Sequence, residues 1–162
     1  MKHTITLLAE NSTECLIRIA GMFSGRGFNL NSISVGQAEE PGFVRVTLVT
    51  QGDDKIVEQI TKQLHKLVDV LKVADLTDTP SVHRELALIK VNAPAERRLE
   101  IMQIVDVFRG KIIDISPKTL TIEATGSEDK IDAIVSMLRP FGLKEVARTG
   151  RVALKREFQG VT

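Results

Sequence analysis

The chain has 162 residues, 43% of them hydrophobic and 27% charged, with a formal net charge of +1. That apolar content supports one domain or two small ones, and the charge is too small to draw the molecule to nucleic acid or a membrane by field alone. The one cysteine, Cys15, excludes an intramolecular disulfide and fits a reducing cytoplasm; no run approaches membrane-spanning length, and no signal peptide is expected.

Residues 2–9 alternate loosely and predict a strand. A helix over 13–25 follows, with Leu16, Ile19, Ala20 and Phe23 at helical spacing and Ser24-Gly25-Arg26-Gly27 as its stop. Asn11 and Glu14 stand three apart at its start, as in a capping box. Phe28–Val35 reads as the second strand, with Leu30, Ile33 and Val35 toward the core. Asn11 closes the first strand and Asn29 opens the second, so adjacent strands would bring both amides to the helix start as a polar pocket for a carboxylate. After the turn Glu39-Glu40-Pro41-Gly42, residues 43–50 alternate cleanly as a half-buried strand. Gln51-Gly52-Asp53-Asp54 caps a helix over 54–67 lined by Ile56, Ile60, Leu64 and Leu67, and Val68–Leu76 makes a fourth strand.

The polar stretch from Thr77 to Ser81 reads as a linker, after which the pattern repeats. Leu86–Val91 is a strand. Pro94 opens a helix to Phe108, faced by Leu99, Met102, Val105 and Ile101. Lys111–Ser116 and Thr119–Thr125 are strands, Gly126-Ser127-Glu128-Asp129 caps a helix through Arg139, and Gly142–Arg148 is the last strand. The tail from Thr149 to Thr162 is basic in its first half, and its ending is expected to be loose. Each half therefore reads strand-helix-strand-strand-helix-strand, an α+β chain of two tandem ferredoxin-like units. One sheet face is covered by helices; a bare face or open edge recruits a second sheet, so a homodimer through the N-terminal sheets is expected.

No catalytic constellation is visible. His3, His65 and His83 are scattered without ligand spacing. Gly21, Gly25 and Gly27 lie within or after a helix, where a dinucleotide fingerprint must open one. Cys15 sits near a helix start but has no histidine beside it in sequence. Tyr and Trp are absent, so a sheet that stacks RNA bases is disfavoured.

Several stretches carry a family resemblance: Glu10-Asn11, Arg18-Ile19-Ala20-Gly21, Phe23-Ser24-Gly25-Arg26-Gly27-Phe28-Asn29, Ser32-Ile33-Ser34-Val35 and the run from Glu58 to Val70. It continues through Arg84–Val91, Phe108–Asp114 and Glu145–Gly150. These resemble the small regulatory subunit of acetohydroxyacid synthase (acetolactate synthase), whose first unit is an ACT domain. The resemblance implies an N-terminal ACT domain over 1–77 for effector sensing and dimerisation, a linker over 78–82, and a C-terminal ferredoxin-like domain with tail over 83–162. It implies a cytoplasmic, non-catalytic subunit of branched-chain amino acid synthesis that activates a large catalytic subunit and confers valine feedback. Thiamine diphosphate, Mg and FAD would belong to that partner, none to this chain. The family's effector site lies at the ACT dimer interface. Carried over by position, it comprises Asn11, Glu14, the backbone around Cys15 and Leu16, and Asn29-Leu30 from the partner chain.

One site position departs from the family pattern, which has glycine where this chain has Glu14. A glutamate there brings negative charge to the helix N-terminus, and its carboxylate is expected to occupy the donors an effector would use. The chain is thus expected to activate its enzyme and to sense valine weakly or not at all; the competing outcome is a Glu14 that swings out to solvent or pairs with the ligand's ammonium. The alternative is a free-standing ACT-type amino-acid-binding regulator, which the lack of a helix-turn-helix and of a basic face disfavours.

Overall fold

The computed structural model describes residues 1–157, which divide into two units: residues 1–83 with the stretch from Arg151, and residues 84–150. In the first unit the order is β1 (Lys2–Glu10), α1 (Thr13–Arg26), β2 (Asn29–Gln37), β3 (Phe43–Gln51), α2 (Asp54–His65) and β4 (Val70–Asp75). The strands form an antiparallel sheet ordered β2-β3-β1-β4. Alternation sends Ile5, Leu7 and Ala9 of β1 and Val44, Val46 and Leu48 of β3 to one face, where they pack with Ile19 and Phe23 of α1 and Ile60 and Leu64 of α2. Each fully buried Ile or Leu side chain stabilises the fold by about 1.5–3 kcal/mol. Asp53 caps α2 as expected, its carboxylate accepting from the Ile56 N–H at 2.9 Å. Gly27 ends α1 at φ 66°, a left-handed conformation that a side chain would strain.

The buried faces differ from the predicted ones in phase. In α1 the buried residues are Cys15, Ile19 and Phe23; Leu16 is half-buried and Ala20 exposed. In α2 Val57 joins Ile60 and Leu64, with Ile56 and Leu67 only half-buried. Ile33 and Val35 pair with Leu48 and Val46, yet they stay 39% and 44% exposed because β2 is an edge strand with a neighbour on one side alone. The opposite face of the sheet is not bare: Thr4, Thr6, Thr47 and Val49 are buried there. A strand at residues 152–155 (Val152–Lys155, β9), in the first half of the tail, lies against β1, and the neighbouring Arg151 donates Nη1–H to Thr4 Oγ1 at 2.7 Å. The rest of the predicted tail, 158–162, lies outside the described residues.

The second unit repeats the plan with β5 (Ser81–Asn92), α3 (Arg98–Val107), β6 (Lys111–Ile115), β7 (Thr119–Gly126), α4 (Glu128–Leu138) and β8 (Leu143–Arg148), in the sheet order β6-β7-β5-β8. Both units thus have the ferredoxin-like plan. β5 begins within the predicted linker, at Ser81, where β9 pairs with it. Pro94 does not open α3. It heads a turn closed by Arg97 N–H on Pro94 O at 3.0 Å, and the helix starts at Arg98, whose guanidinium bonds Ala93 O and Ser116 O at 2.9 and 2.6 Å. Ile101 and Val105 then face the core, while Leu99 and Met102 point out.

Candidate functional site

β1 ends where Asn11 turns away, its N–H donating to Gly42 O and the Ser12 N–H to Glu10 O, both at 2.9 Å. Ser12 is extended, at φ −139° and ψ 147°, and its Oγ accepts from the Cys15 N–H at 3.0 Å. Ser12 is therefore the cap, and the expected capping box of Asn11 with Glu14 does not form. The helix starts one residue later than that box requires, which makes Glu14 its second residue. The Glu14 side chain, 81% exposed, runs along the helix to Arg18 at 3.6 Å instead of covering the donors at the start. With the Cys15 and Leu16 amides spent on Ser12, the Thr13 and Glu14 N–H groups keep no protein acceptor among the described residues. Two such donors at the positive end of a helix dipole suit a carboxylate.

Cys15 is 1% exposed. Burial pushes its thiol upward, the Asp69 and Glu10 carboxylates push it further, and Arg18 opposes them. A buried, protonated thiol is no nucleophile, so Cys15 joins the shelf, the turn from Asn11 to Leu16 with its open Thr13 and Glu14 amides, through its backbone alone. Leu16 beside it is half-buried.

Asn29 and Leu30 lie elsewhere. Both β1 and β2 run antiparallel to β3, so they are parallel to each other. Asn11 follows the end of β1 that pairs with Phe43; Asn29 starts β2 opposite Gln51, at the far end of β3. Eight residues of strand separate those ends, about 27 Å at roughly 3.4 Å per residue. Within one chain the two asparagines do not converge, and β3 lies between their strands. Asn29 is exposed, and its carbonyl accepts from Thr50 Oγ1.

Two neighbours of the shelf were not read from the sequence as site residues. Arg18 stands one turn after Glu14, a spacing that was legible. Asp69, which forms an ion pair with Arg18, is 51 residues away and carried no local signal. None of the six predicted residues lines the hollows of about 230 Å³ (Leu8, Glu39, Glu40, Phe43, Leu71, Lys72) and 320 Å³ (Glu100, Gln103, Ile104, Val107, Phe108, Met137). Among the described residues, no group of three or more His, Cys, Asp or Glu comes together to hold a metal, and no helix is long and apolar enough to cross a membrane.

Fold and site together define a chain of two tandem ferredoxin-like modules, the first with open amides at the start of its first helix. Residues 5–72 match a family model described as the AHAS small subunit-like ACT domain, and residues 84–157 one described as the small subunit of acetolactate synthase. The acetolactate synthase small subunit of Aquifex aeolicus is 53% identical over 157 residues, covering 96% of this chain and 82% of its own. The probable acetolactate synthase small subunit of Methanothermobacter thermautotrophicus is 52% identical over 155 residues, covering 95% and 92%. The crystal structure of the acetolactate synthase small subunit from Thermotoga maritima superposes with a TM-score of 0.89 at 43% identity, covering 96% of this chain and 98% of that one. The chain belongs to the acetolactate synthase small-subunit family. Members of that family regulate the enzyme and are not themselves catalytic.

Proposed function

We propose that the chain works as a homodimer in the cytoplasm, where it binds the thiamine-diphosphate-dependent catalytic subunit of acetohydroxyacid synthase, raises its activity and carries valine feedback to it. The effector site is composite: the turn from Asn11 to Leu16 comes from one copy and Asn29-Leu30 from the other. The observation that carries this reading is the separation of about 27 Å, from strand rise, between the two halves in a single chain. An amino acid spans a small part of that length, so a site using both asparagines needs a second copy. β2 supports the same reading. It is a nine-residue edge strand bearing Ile33 and Val35, each more than a third exposed, and such an edge pairs readily with another strand. The opposite sheet face is partly taken by β9, which leaves the edge as the better surface.

Glu14 then tunes the site and does not fill it. Its carboxylate is turned to Arg18, which leaves the Thr13 and Glu14 amides open to an effector carboxylate. The repulsion it exerts is that of an exposed charge, worth no more than about tenfold in affinity.

Calorimetric titration of the full chain with valine, repeated on Glu14→Gly, tests both points; the chain has no tryptophan to report binding. Heat from the unmodified chain, with tighter binding in the variant, is expected. Silence in both proteins overturns the site. Heat only in the variant means that Glu14 blocks the site, and unchanged affinity means that it has no part in it. Co-purification with the large catalytic subunit separates this reading from a free-standing regulator.

A further inference from the structure

The turn that bears the shelf is tied down at one place, the segment between α2 and β4. There Asp69 acts twice. Its carbonyl accepts the Glu10 N–H at 2.9 Å, fixing the end of β1 one residue before Asn11. Its carboxylate holds the guanidinium of Arg18, on the first turns of α1. The Asp69 side chain is 15% exposed and that of Arg18 49%, so this charge-assisted bond is sheltered from water on its carboxylate side and open on the other. Arg18 in turn holds Glu14 at 3.6 Å. The turn Glu10-Asn11-Ser12 is thus gripped on both sides by a single residue that itself makes no hydrogen bond to residues 11–16.

We propose that Asp69 is the positioning residue of the effector shelf: through Glu10 N–H and Arg18 it holds the turn and the start of α1 in the geometry that binds the effector carboxylate. The proposal rests on the effector reading above. With the carboxylate gone, Arg18 loses its anchor and the first turn of α1 is held only by Ser12 and by packing. Cys15, in that turn, moves from buried to intermittently exposed, and the two open amides lose their fixed direction.

Because Cys15 is the only thiol, its alkylation by iodoacetamide reports the opening without any effector present. Asp69→Asn and Arg18→Gln are compared with the unmodified chain, with Arg18→Lys as the conservative variant. The Asp69 charge raises the thiol and the Arg18 charge lowers it. Electrostatics alone would therefore speed alkylation in Asp69→Asn and slow it in Arg18→Gln. Faster alkylation in both is the mark of opening, provided amide exchange in α2 stays at its unmodified rate, which shows the unit still folded. The expected result is alkylation about tenfold faster in both, valine affinity about tenfold weaker in both, and substantial recovery in Arg18→Lys, the size of one lost charge-assisted hydrogen bond. Unchanged protection of Cys15, or opposite changes in the two variants, overturns the proposal. So does faster alkylation with unchanged valine affinity, which would leave Asp69 a purely structural tie. If the unmodified chain binds no valine, the effector reading falls and the proposal with it; if it binds valine and the variants bind equally well, the proposal alone falls.

Discussion

Asn11→Ala and Asn29→Ala, each alone, should abolish most effector binding, and mixing the two proteins should restore part of it. The argument comes from the register of the first sheet. Each variant homodimer lacks one half of both its sites. A mixed dimer has one junction where both asparagines are missing and one where both are intact. Random reassortment of equal amounts makes about half the dimers mixed, so about a quarter of all sites regain full affinity. Loss of one amide contact to a bound charged group costs about 1.5–3 kcal/mol, or tenfold to a hundredfold in affinity, enough to separate repaired from unrepaired sites in one titration. The assay is a valine titration of each variant and of the mixture, after exchange through a mild denaturant step. A mixture that binds no better than the average of its parts would refute the composite site. A site confined to one chain predicts that outcome, since neither variant could supply the other's missing side chain.

In the second unit, Arg148 donates to the buried Glu85 at 2.5 Å and to Asp132 at 2.8 Å, and its guanidinium is held more firmly protonated, foremost by the Glu85 bond. Arg148→Met should therefore cost about 2–4 kcal/mol in urea unfolding by stranding Glu85, while the double change with Glu85→Leu should cost much less. Leu64→Ala, at a wholly buried position, should cost about 2–5 kcal/mol in the same assay. Gly27→Ala and Gly142→Ala both place a side chain at positive φ, 66° and 100°, but only at Gly142 would the new Cβ meet a neighbour, Asn92 Nδ2 at 2.5 Å. Gly27→Ala should cost about 1 kcal/mol in thermal unfolding and Gly142→Ala clearly more. The Cys15 thiol is raised above its ordinary 9.0 in the folded chain. Its contribution to stability is thus full below pH 9.0 and lost as pH climbs through the folded value, so stability should fall less above pH 9.0 in Cys15→Ala than in the unmodified chain.

The alternating strands and the repeat were legible because the apolar side chains of β1, β3 and β7 alternate toward the core; in β7 that face alone is buried, whereas in β1 and β3 Thr4, Thr6, Thr47 and Val49 are buried on the other face as well. Helix phase was less legible. In α1 the chain buries Cys15 in place of Ala20, because the turn at Asn11 and Ser12 sets the angle at which the helix meets the sheet, and apolar spacing alone does not encode that angle. Ile33 and Val35 look like core residues by type and register; their exposure follows from strand order, a property of the whole sheet. The site shows the same division. Ser12 was overlooked as the cap because Asn11 and Glu14 offered a spacing that fits the capping-box pattern, whereas the residue three after Ser12 is Cys15. The pairing of Arg18 with Asp69, and the 27 Å or so implied by strand rise between the two asparagines, depend on contacts far apart in sequence.

The two units share a plan but differ in the loop that leads into their first helix. In the first unit two residues join strand to helix, and a serine cap takes one amide, leaving the two before it open. In the second, five residues intervene between β5 and α3, and the helix starts after Arg97 with no side-chain cap. There the Arg98 guanidinium occupies the carbonyls of Ala93 and Ser116, and Arg97 stacks on Phe141 with its guanidinium carbon 4.2 Å from the ring centre. Two arginines crowd that loop, and one of them is spent on closing it against β7's turn. A carboxylate at that place would find the Arg98 guanidinium engaged; the Arg98, Leu99 and Glu100 N–H groups, without a side-chain cap, keep no acceptor among the described residues, so the engaged arginines and not the supply of amides set this loop apart. On the proposed reading, the short loop with a serine at its end is what suits the first unit, and not the second, to an effector carboxylate.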